Sequence, residues 1–435
     1  MVSRSVPVRR RRRLLFVGVT AVLVVAVVEV ISAIGLYCSL ETGLTFPRLV
    51  ARQEMLALTS RSRDDSTVVV HPFTGWCLNP QLSQGQSAFG KQIPVNRLGF
   101  VDDRETVQKR GSDRLLIGVT GGSVAWQMTV GAAELISETL RQSPQLRDRD
   151  IRILRICQSG YKQPQQLMTV NWLMALGGEF DAVVNLDGYN ELALTESENY
   201  ARRIHTGYPR AWNARTLENI DPRESVERMR LLEIDSFRQR IARQVTRAPW
   251  RWSYTASVLW SARDRLALNE KQQLTVSLME KHSTGEGLGF AQSGPAQAIV
   301  GRREMLDLAA EMWLRSSLQI HRLLERSGIV YLHVLQPNQH HTGSKPLSAD
   351  EKMLALNVSQ SGVDAIRDGY PLLLAEQQTL REAGVEFLNL SDLYADERES
   401  MYCDGSCHLN AEGNRRLARA VAGALRPLLE KSRLN

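Results

Sequence analysis

The chain is predicted to fold as an α/β three-layer sandwich around a five-stranded parallel sheet, and three observations predict it. Five short apolar runs have the composition of buried strands: RLLIGVT (114–120), IRILRIC (151–157), DAVVNLD (181–187), IVYLHVL (329–335) and VEFLNL (385–390). Segments of helical periodicity separate them, the arrangement expected of parallel strands joined by crossover helices that cover both sheet faces. The residues able to carry chemistry follow these runs closely, and ligands in such sheets bind at the carboxyl ends of the strands.

The N-terminus stands apart. Formal net charge is +7, yet residues 1–37 carry six arginines and one glutamate, which leaves +2 for everything after Tyr37. The basic balance is local, and a nucleic-acid partner has no support in the body of the chain. Leu14 to Tyr37 is an almost unbroken apolar run of 24 residues, long enough to cross a bilayer as a helix. The basic residues 1–13 before it predict a cytoplasmic N-terminus. No A-x-A site follows, so a signal-anchor is expected rather than a cleaved signal peptide. Glu29, costly inside a membrane, either pairs with a partner helix or lies near the outer interface and snorkels. A polar stem is expected over 38–70. Five cysteines (Cys38, Cys77, Cys157, Cys403, Cys407) make no dense disulfide framework. Cys403 and Cys407 are near enough in sequence to pair, with free thiols the alternative.

From 71 onward the elements follow in order. HPFTGWCLNP through PVNRLGFVDD reads as irregular or edge-strand structure. Helical patterns then alternate with the five strands: GAAELISETLRQ, PQQLMTVNWLMAL, MLDLAAEMWLRSSLQIHRLLERSG and PLLLAEQQTLREAG, with NAEGNRRLARAVAGALRPLLEKS closing the chain. One interval breaks the rhythm. Residues 191–328 are too many for a simple crossover and are mostly helical in pattern, so a helical insertion is expected between 71–190 and 329–435. STGEGLGFAQSG within it reads as a flexible loop. It lacks G-x-G-x-x-G spacing and follows no strand, so a dinucleotide site is unsupported.

Four stretches beyond the strands belong together: GVTGGSVAWQ with Ser123, CQSGYKQPQQL with Gly160, NLDGYNEL with Asn190, and YCDGSCHLNAEGNRRLA with Asp404 and His408. A serine hydroxyl attacks an ester poorly unless a base takes its proton, and an imidazole suits that task near neutral pH. His408 would be that base and Asp404 its orienting acid. Gly permits close backbone approach and Asn offers a neutral donor to a developing oxyanion. Each residue also has a plainer role: Ser123 or Asn190 as helix caps, Gly160 as a turn, Asp404 and His408 as a surface turn before a helix capped by Asn410.

In this order the four stretches resemble the SGNH hydrolase superfamily, the GDSL-like esterases, and most of all its membrane-anchored bacterial members, some associated with surface polysaccharides. The resemblance covers roughly 71–190 and 329–430 and leaves the insertion unexplained. It implies a flavodoxin-like sheet order and an oxyanion hole of Ser123 N–H, Gly160 N–H and the Asn190 amide. The implied activity is that of an extracytoplasmic serine esterase or O-acyltransferase on acetyl esters of a surface polysaccharide. The anchor would be a single pass through the inner membrane, with polysaccharide-assembly proteins as partners and no cofactor. Two departures stand out. Gly122 occupies the place of the name-giving motif's Asp, and three residues rather than two separate Asp404 from His408. The longer spacing leaves a Ser–His dyad open, and it is the best argument for the competing class, a non-catalytic module of the same fold that binds glycan or scaffolds an export complex.

HVLQPNQHHTGSKPLS follows the fourth strand and should also border the site. Gln336, Asn338 and His340 could hydrogen-bond a sugar, or the loop could satisfy its own backbone. His333, His340 and His341 have no second group at ligand spacing, so no metal is expected. APWRWSYTASVLW clusters Trp250, Trp252, Tyr254 and Trp260, which could stack on sugar rings or sit at a bilayer surface, with packing inside the insertion the default.

Overall fold

The five apolar runs form one sheet. In a computed structural model that describes residues 8–38, 45–58, 68–81, 86–216, 222–283, 290–297, 301–356 and 360–432, the strands are β1 (Val68–His71), β2 (Gly75–Leu78), β3 (Gln86–Ala88), β4 (Lys91–Ile93), β5 (Arg114–Gly121), β6 (Asp150–Arg155), β7 (Ala182–Asp187), β8 (Val330–Leu335) and β9 (Glu386–Asn389). The helices begin with α1 (Val8–Cys38), α2 (Phe46–Leu58), α3 (Ser123–Arg141), α4 (Gln165–Ala175), α5 (Tyr189–Leu194), α6 (Trp212–Thr216) and α7 (Pro222–Val245). They continue with α8 (Tyr254–Ser283), α9 (Phe290–Ser293), α10 (Arg302–Glu325), α11 (Ala349–Ala355), α12 (Gln360–Ala375), α13 (Gln377–Glu382) and α14 (Ala411–Ser432).

β5 to β9 make a wholly parallel sheet in the order β6-β5-β7-β8-β9, each strand within two residues of its expected run. Burial on both faces explains why these strands read as continuous apolar runs. On one face Leu115, Ile117, Val119 and Val184 pack with α3 and α14, whose Leu417, Val421, Leu425 and Leu429 form the buried stripe. On the other, Leu154, Val183 and Tyr331 pack with α4, α10 and α12 around Trp313 and Tyr370. The chain leaves β5 toward β6 on one side and returns to β7 on the other. The crevice between the ends of β5 and β7 is therefore a topological switch point, where open α/β sheets bind ligands. The segment expected as edge structure forms two antiparallel hairpins, β1–β2 and β3–β4.

The chain divides into two compact units. One comprises Ser66–Ile220 and His282–Asn435 and contains the sheet; the other comprises Met1–Asp65 and Asp221–Lys281. This corrects two expectations. The interval 191–328 is not one insertion, because α10 packs on the sheet as the crossover helix before β8. The interval 38–70 is not simply a stem, because it contains α2, which packs on α7. In this second unit Leu36, Leu49 and Trp260 form a small core. Asp264 receives Arg52 at 2.8 Å and Arg238 at 2.6 Å, and Lys271 reaches Asp235 at 2.9 Å. α1 contains the apolar span Leu15–Cys38, long enough to cross a bilayer. Of the loop expected over 283–294, residues 284–289 lie outside the described residues and Phe290–Ser293 forms the short α9.

Candidate active site

Ser123 opens α3 two residues beyond the end of β5, so its hydroxyl stands at the positive end of that helix, which kinks at Ala132. Gly122 before it is extended, with φ −89° and ψ −154°. A side chain there would collide with Asn190 Nδ2.

His408 and Asp404 lie on a short loop closed by the Cys403 N–H to His408 O hydrogen bond of 2.9 Å and an antiparallel bridge between Tyr402 and Leu409. His408 Nε2 lies 2.7 Å from Ser123 Oγ, and His408 Nδ1 lies 2.5 Å from Asp404 Oδ2. The other Asp404 oxygen accepts from Ser406 N at 2.7 Å. Between Asp404 and His408, Cys407 is fully buried and takes a left-handed backbone, φ 64°. Burial pushes the Asp404 carboxyl up, but the His408 hydrogen bond and charge, with the backbone N–H groups, outweigh it and hold it below its ordinary value. Asn410 accepts from Gly413 N at 2.8 Å, so the loop is also the cap of α14. Cys403 and Cys407 are both free thiols, as are the three remaining cysteines.

Gly160 sits in the turn after β6 at φ 88°, a conformation that favours glycine. Asn190, in the first turn of α5, donates through Nδ2 to Tyr161 O at 2.7 Å, which draws the Gly160 turn, Gly122 and Asn190 together at the switch point. The β1–β2 hairpin holds this turn: Tyr161 donates its hydroxyl to Trp76 O at 2.5 Å, and Gln165 Nε2 donates to Thr74 O at 2.8 Å. Beneath Asn190 lies a buried polar network. Asp187 accepts from Trp313 Nε1 at 2.7 Å, from Asn185 Nδ2 at 2.7 Å and from Gln163 Nε2 at 3.2 Å, and its Oδ1 lies 3.0 Å from His333 Nε2. Glu191 accepts from Gly188 N at 2.8 Å and Gln163 N at 3.0 Å. Burial, then the neighbouring Asp187 charge, push the Glu191 carboxyl up to about 8.

Gln336, Asn338 and His340 do not line an open surface, a correction to the substrate-binding expectation. They are 3%, 0% and 8% exposed. His340 Nε2 lies 2.7 Å from Gly405 O, and Asn338 Oδ1 accepts from His340 N at 3.0 Å. Polar side chains after a strand are equally suited to bracing a loop, and Asn338 and His340 do so here, whereas the buried Gln336 Nε2 has no hydrogen-bond partner among the described residues. Sequence reasoning missed the rest of this brace. Gln339 Nε2 donates to Asp404 O at 2.9 Å. Glu351 accepts from Met401 N at 2.8 Å and Tyr402 N at 2.9 Å while paired with buried Lys345 at 2.7 Å. It also missed Arg210, which pairs with Glu198 at 2.9 Å and runs beside Gly160: a methyl at 160 would lie 3.0 Å from Arg210 Cδ and 3.4 Å from Nη1. No spacing signal links those two residues. Among the described residues no group of three or more His, Cys, Asp or Glu is arranged to hold a metal ion.

The fold and site together define an α/β protein with a serine, a histidine and an aspartate in hydrogen-bonded series at the switch point of a parallel sheet. No protein-family model matches the chain, and no curated protein sequence matches it. Chemically, the series can carry a proton from the serine hydroxyl to the imidazole, with the carboxylate facing the opposite ring nitrogen.

Proposed function

We propose that this is a membrane-anchored serine ester hydrolase or O-acyltransferase of the SGNH kind. The observation that supports the reading most is the series Ser123 Oγ, His408 Nε2 at 2.7 Å, and His408 Nδ1, Asp404 Oδ2 at 2.5 Å. Ser123 Oγ attacks the ester carbonyl carbon while its proton passes to His408 Nε2. The N–H groups of Ser123 and Gly160 and the Asn190 amide receive the oxyanion. Collapse breaks the bond to the alkoxy oxygen, which leaves with the proton from His408, and an acyl-serine remains. His408 then takes a proton from the acceptor as it attacks the acyl carbon, and collapse of this second intermediate breaks the bond to Ser123 Oγ, which leaves with the proton from His408 and restores the free serine. Water as acceptor makes an esterase, and a sugar hydroxyl makes an O-acyltransferase. The resemblance and the apolar N-terminal helix together favour acetyl esters of a surface polysaccharide and an extracytoplasmic site.

The test is fluorophosphonate labelling of the purified full chain beside Ser123→Ala and His408→Ala, followed by acetyl-ester turnover on the same samples. Labelling lost in Ser123→Ala and strongly reduced in His408→Ala is the expected result. Absence of labelling in folded wild-type protein overturns the reading and returns the chain to a non-catalytic glycan-binding module. Turnover with water alone identifies the esterase, and labelling without turnover identifies a transferase that awaits its acceptor.

A further inference from the structure

Glu29 does not snorkel. It lies within the apolar span Leu15–Cys38, and its carboxylate accepts from Tyr254 N at 2.8 Å, Thr255 N at 3.2 Å and the Ser253 hydroxyl. These donors are the start of α8, so an acidic residue of the apolar helix caps another helix of the same unit. Ser32 Oγ and Thr255 Oγ1 lie 3.0 Å apart beside it. Glu29, Ser32, Ala33 and Leu36 are the only covered positions among the described residues of the span, spaced i, i+3, i+4, i+7 along one stripe. From Leu15 to Val28 every described residue is exposed, the pattern of a helix that meets lipid.

The depth of Glu29 follows from helix geometry. A hydrocarbon core of about 30 Å takes about 20 helical residues to cross. Counted from Leu14, the first residue after the arginines, the core ends near Ala33, which leaves Glu29 roughly 6 Å inside its far boundary. Sliding the helix outward until Glu29 reached that boundary would pull Arg10 to Arg13 into hydrocarbon. The turn that caps on Glu29 therefore lies at the level of the far leaflet's interface.

That turn is composed for the place. Trp250 and Trp252 are 57% and 68% exposed, and Tyr254 is 37% exposed with its ring centroid 4.3 Å from that of Phe46. Only Trp260 of the aromatic cluster packs inside, at 2%. Trp and Tyr favour the membrane–water boundary, where an apolar ring and a polar N–H or O–H are both accommodated. Exposed Arg243, Arg247 and Arg251 flank the turn, Arg251 paired with Glu54 at 2.6 Å, as suits a surface of anionic headgroups. A cleft of about 620 Å³ lined by Val245, Trp250, Leu259 and Trp260 adjoins it, apolar enough for part of an acyl chain.

We propose that the Trp250–Tyr254 turn, fastened to Glu29, is a second membrane contact of this chain, seated in the interfacial zone of the far leaflet. It rests on α1 crossing the bilayer and is independent of the ester chemistry. The test reconstitutes the full chain in vesicles of phosphatidylcholine and phosphatidylglycerol, with lipids brominated either just below the headgroup or near the chain end. Tryptophan emission is read for wild type and for Trp250→Phe/Trp252→Phe. The apolar helix contains no tryptophan, and the phenylalanines keep the turn apolar while removing two of the eight fluorophores. Expected are co-flotation of both proteins, quenching stronger with the shallow bromines, and loss of that component in the double variant. Glu29→Leu should still float yet show weaker quenching. Co-flotation with equal quenching in wild type and double variant overturns the seated turn, and unchanged quenching in Glu29→Leu overturns the fastening. Failure to float overturns the crossing helix and the proposal with it.

Discussion

Replacing Asp404 by Asn exchanges one oxygen for an amino group at constant volume. In the wild type one carboxylate oxygen lies 2.5 Å from His408 Nδ1 and the other accepts from Ser406 N at 2.7 Å. An asparagine has one oxygen for the two places. If it stays on the backbone N–H, the amide donors face Nδ1, force the lone pair there and put the ring proton on Nε2, where it cannot accept from Ser123. If the amide flips, Ser406 N–H loses its acceptor and the loop loosens. In a buried triad the wrong tautomer lowers the rate about 10⁴-fold. Asp404 is 45% exposed, so water takes over part of its role, and a loss of roughly 10²–10³-fold is expected. The assay is the rate of fluorophosphonate inactivation and acetyl-ester turnover at neutral pH, with circular dichroism to show that the loop variant is folded. The carboxyl is held below its ordinary 3.8, so wild-type reactivity should show no loss from Asp404 protonation until pH falls beneath that value. An Asn variant that reacts at the wild-type rate refutes the triad. If His408→Ala were still inactive, a Ser–His dyad would replace it.

Three further outcomes are expected. Gly160→Ala places a side chain at φ 88°, worth about 1–2 kcal/mol, and presses on Arg210. It should fold with a Tm lowered by that strain, read by thermal melting, and because alanine keeps the backbone N–H, kcat should fall only as far as the strained turn displaces that N–H; an unchanged Tm would refute the strain argument. Lys345→Met leaves the buried Glu351 carboxylate without its cation and should cost about 3–5 kcal/mol by urea denaturation, with Glu351→Gln in that background recovering part. Glu191 has a folded-state value near 8 against 4.5, so its stabilising contribution is full below 4.5 and is lost as pH rises through 8. Between those limits Tm should fall in the wild type and stay flat in Glu191→Gln; parallel curves would show that the side chain is ionised throughout.

What was legible in the sequence has a physical reason. Strands buried on both faces must be apolar throughout, and the five runs stand out for that alone. Ser123, Gly160 and Asn190 lie just beyond the carboxyl ends of β5, β6 and β7, as their places after the apolar runs predicted, and His408 comes to Ser123 from the loop before α14. What escaped depends on contacts far apart in the chain. Glu29 and Ser253 are 224 residues apart, and no periodicity reveals that one caps the helix begun beside the other. Asn338 and His340 were placed at the right strand end and given the wrong neighbour, since residue type does not separate a side chain that meets substrate from one that holds a loop. The Asp404–His408 spacing is a third case. Counting residues treats an insertion as a displacement, and by that count the acid is out of place. The bond between the side chains needs only that the loop return His408 to the same point. Between the two side chains the loop contains one left-handed residue, Cys407, buried without exposure. A non-glycine residue keeps φ 64° only where its surroundings over-determine it, and here His340 on Gly405, Gln339 on Asp404 and Glu351 on Met401 and Tyr402 supply that constraint. Two residues of the segment expected to meet substrate, Gln339 and His340, thus hold the backbone of the loop that carries Asp404 and His408.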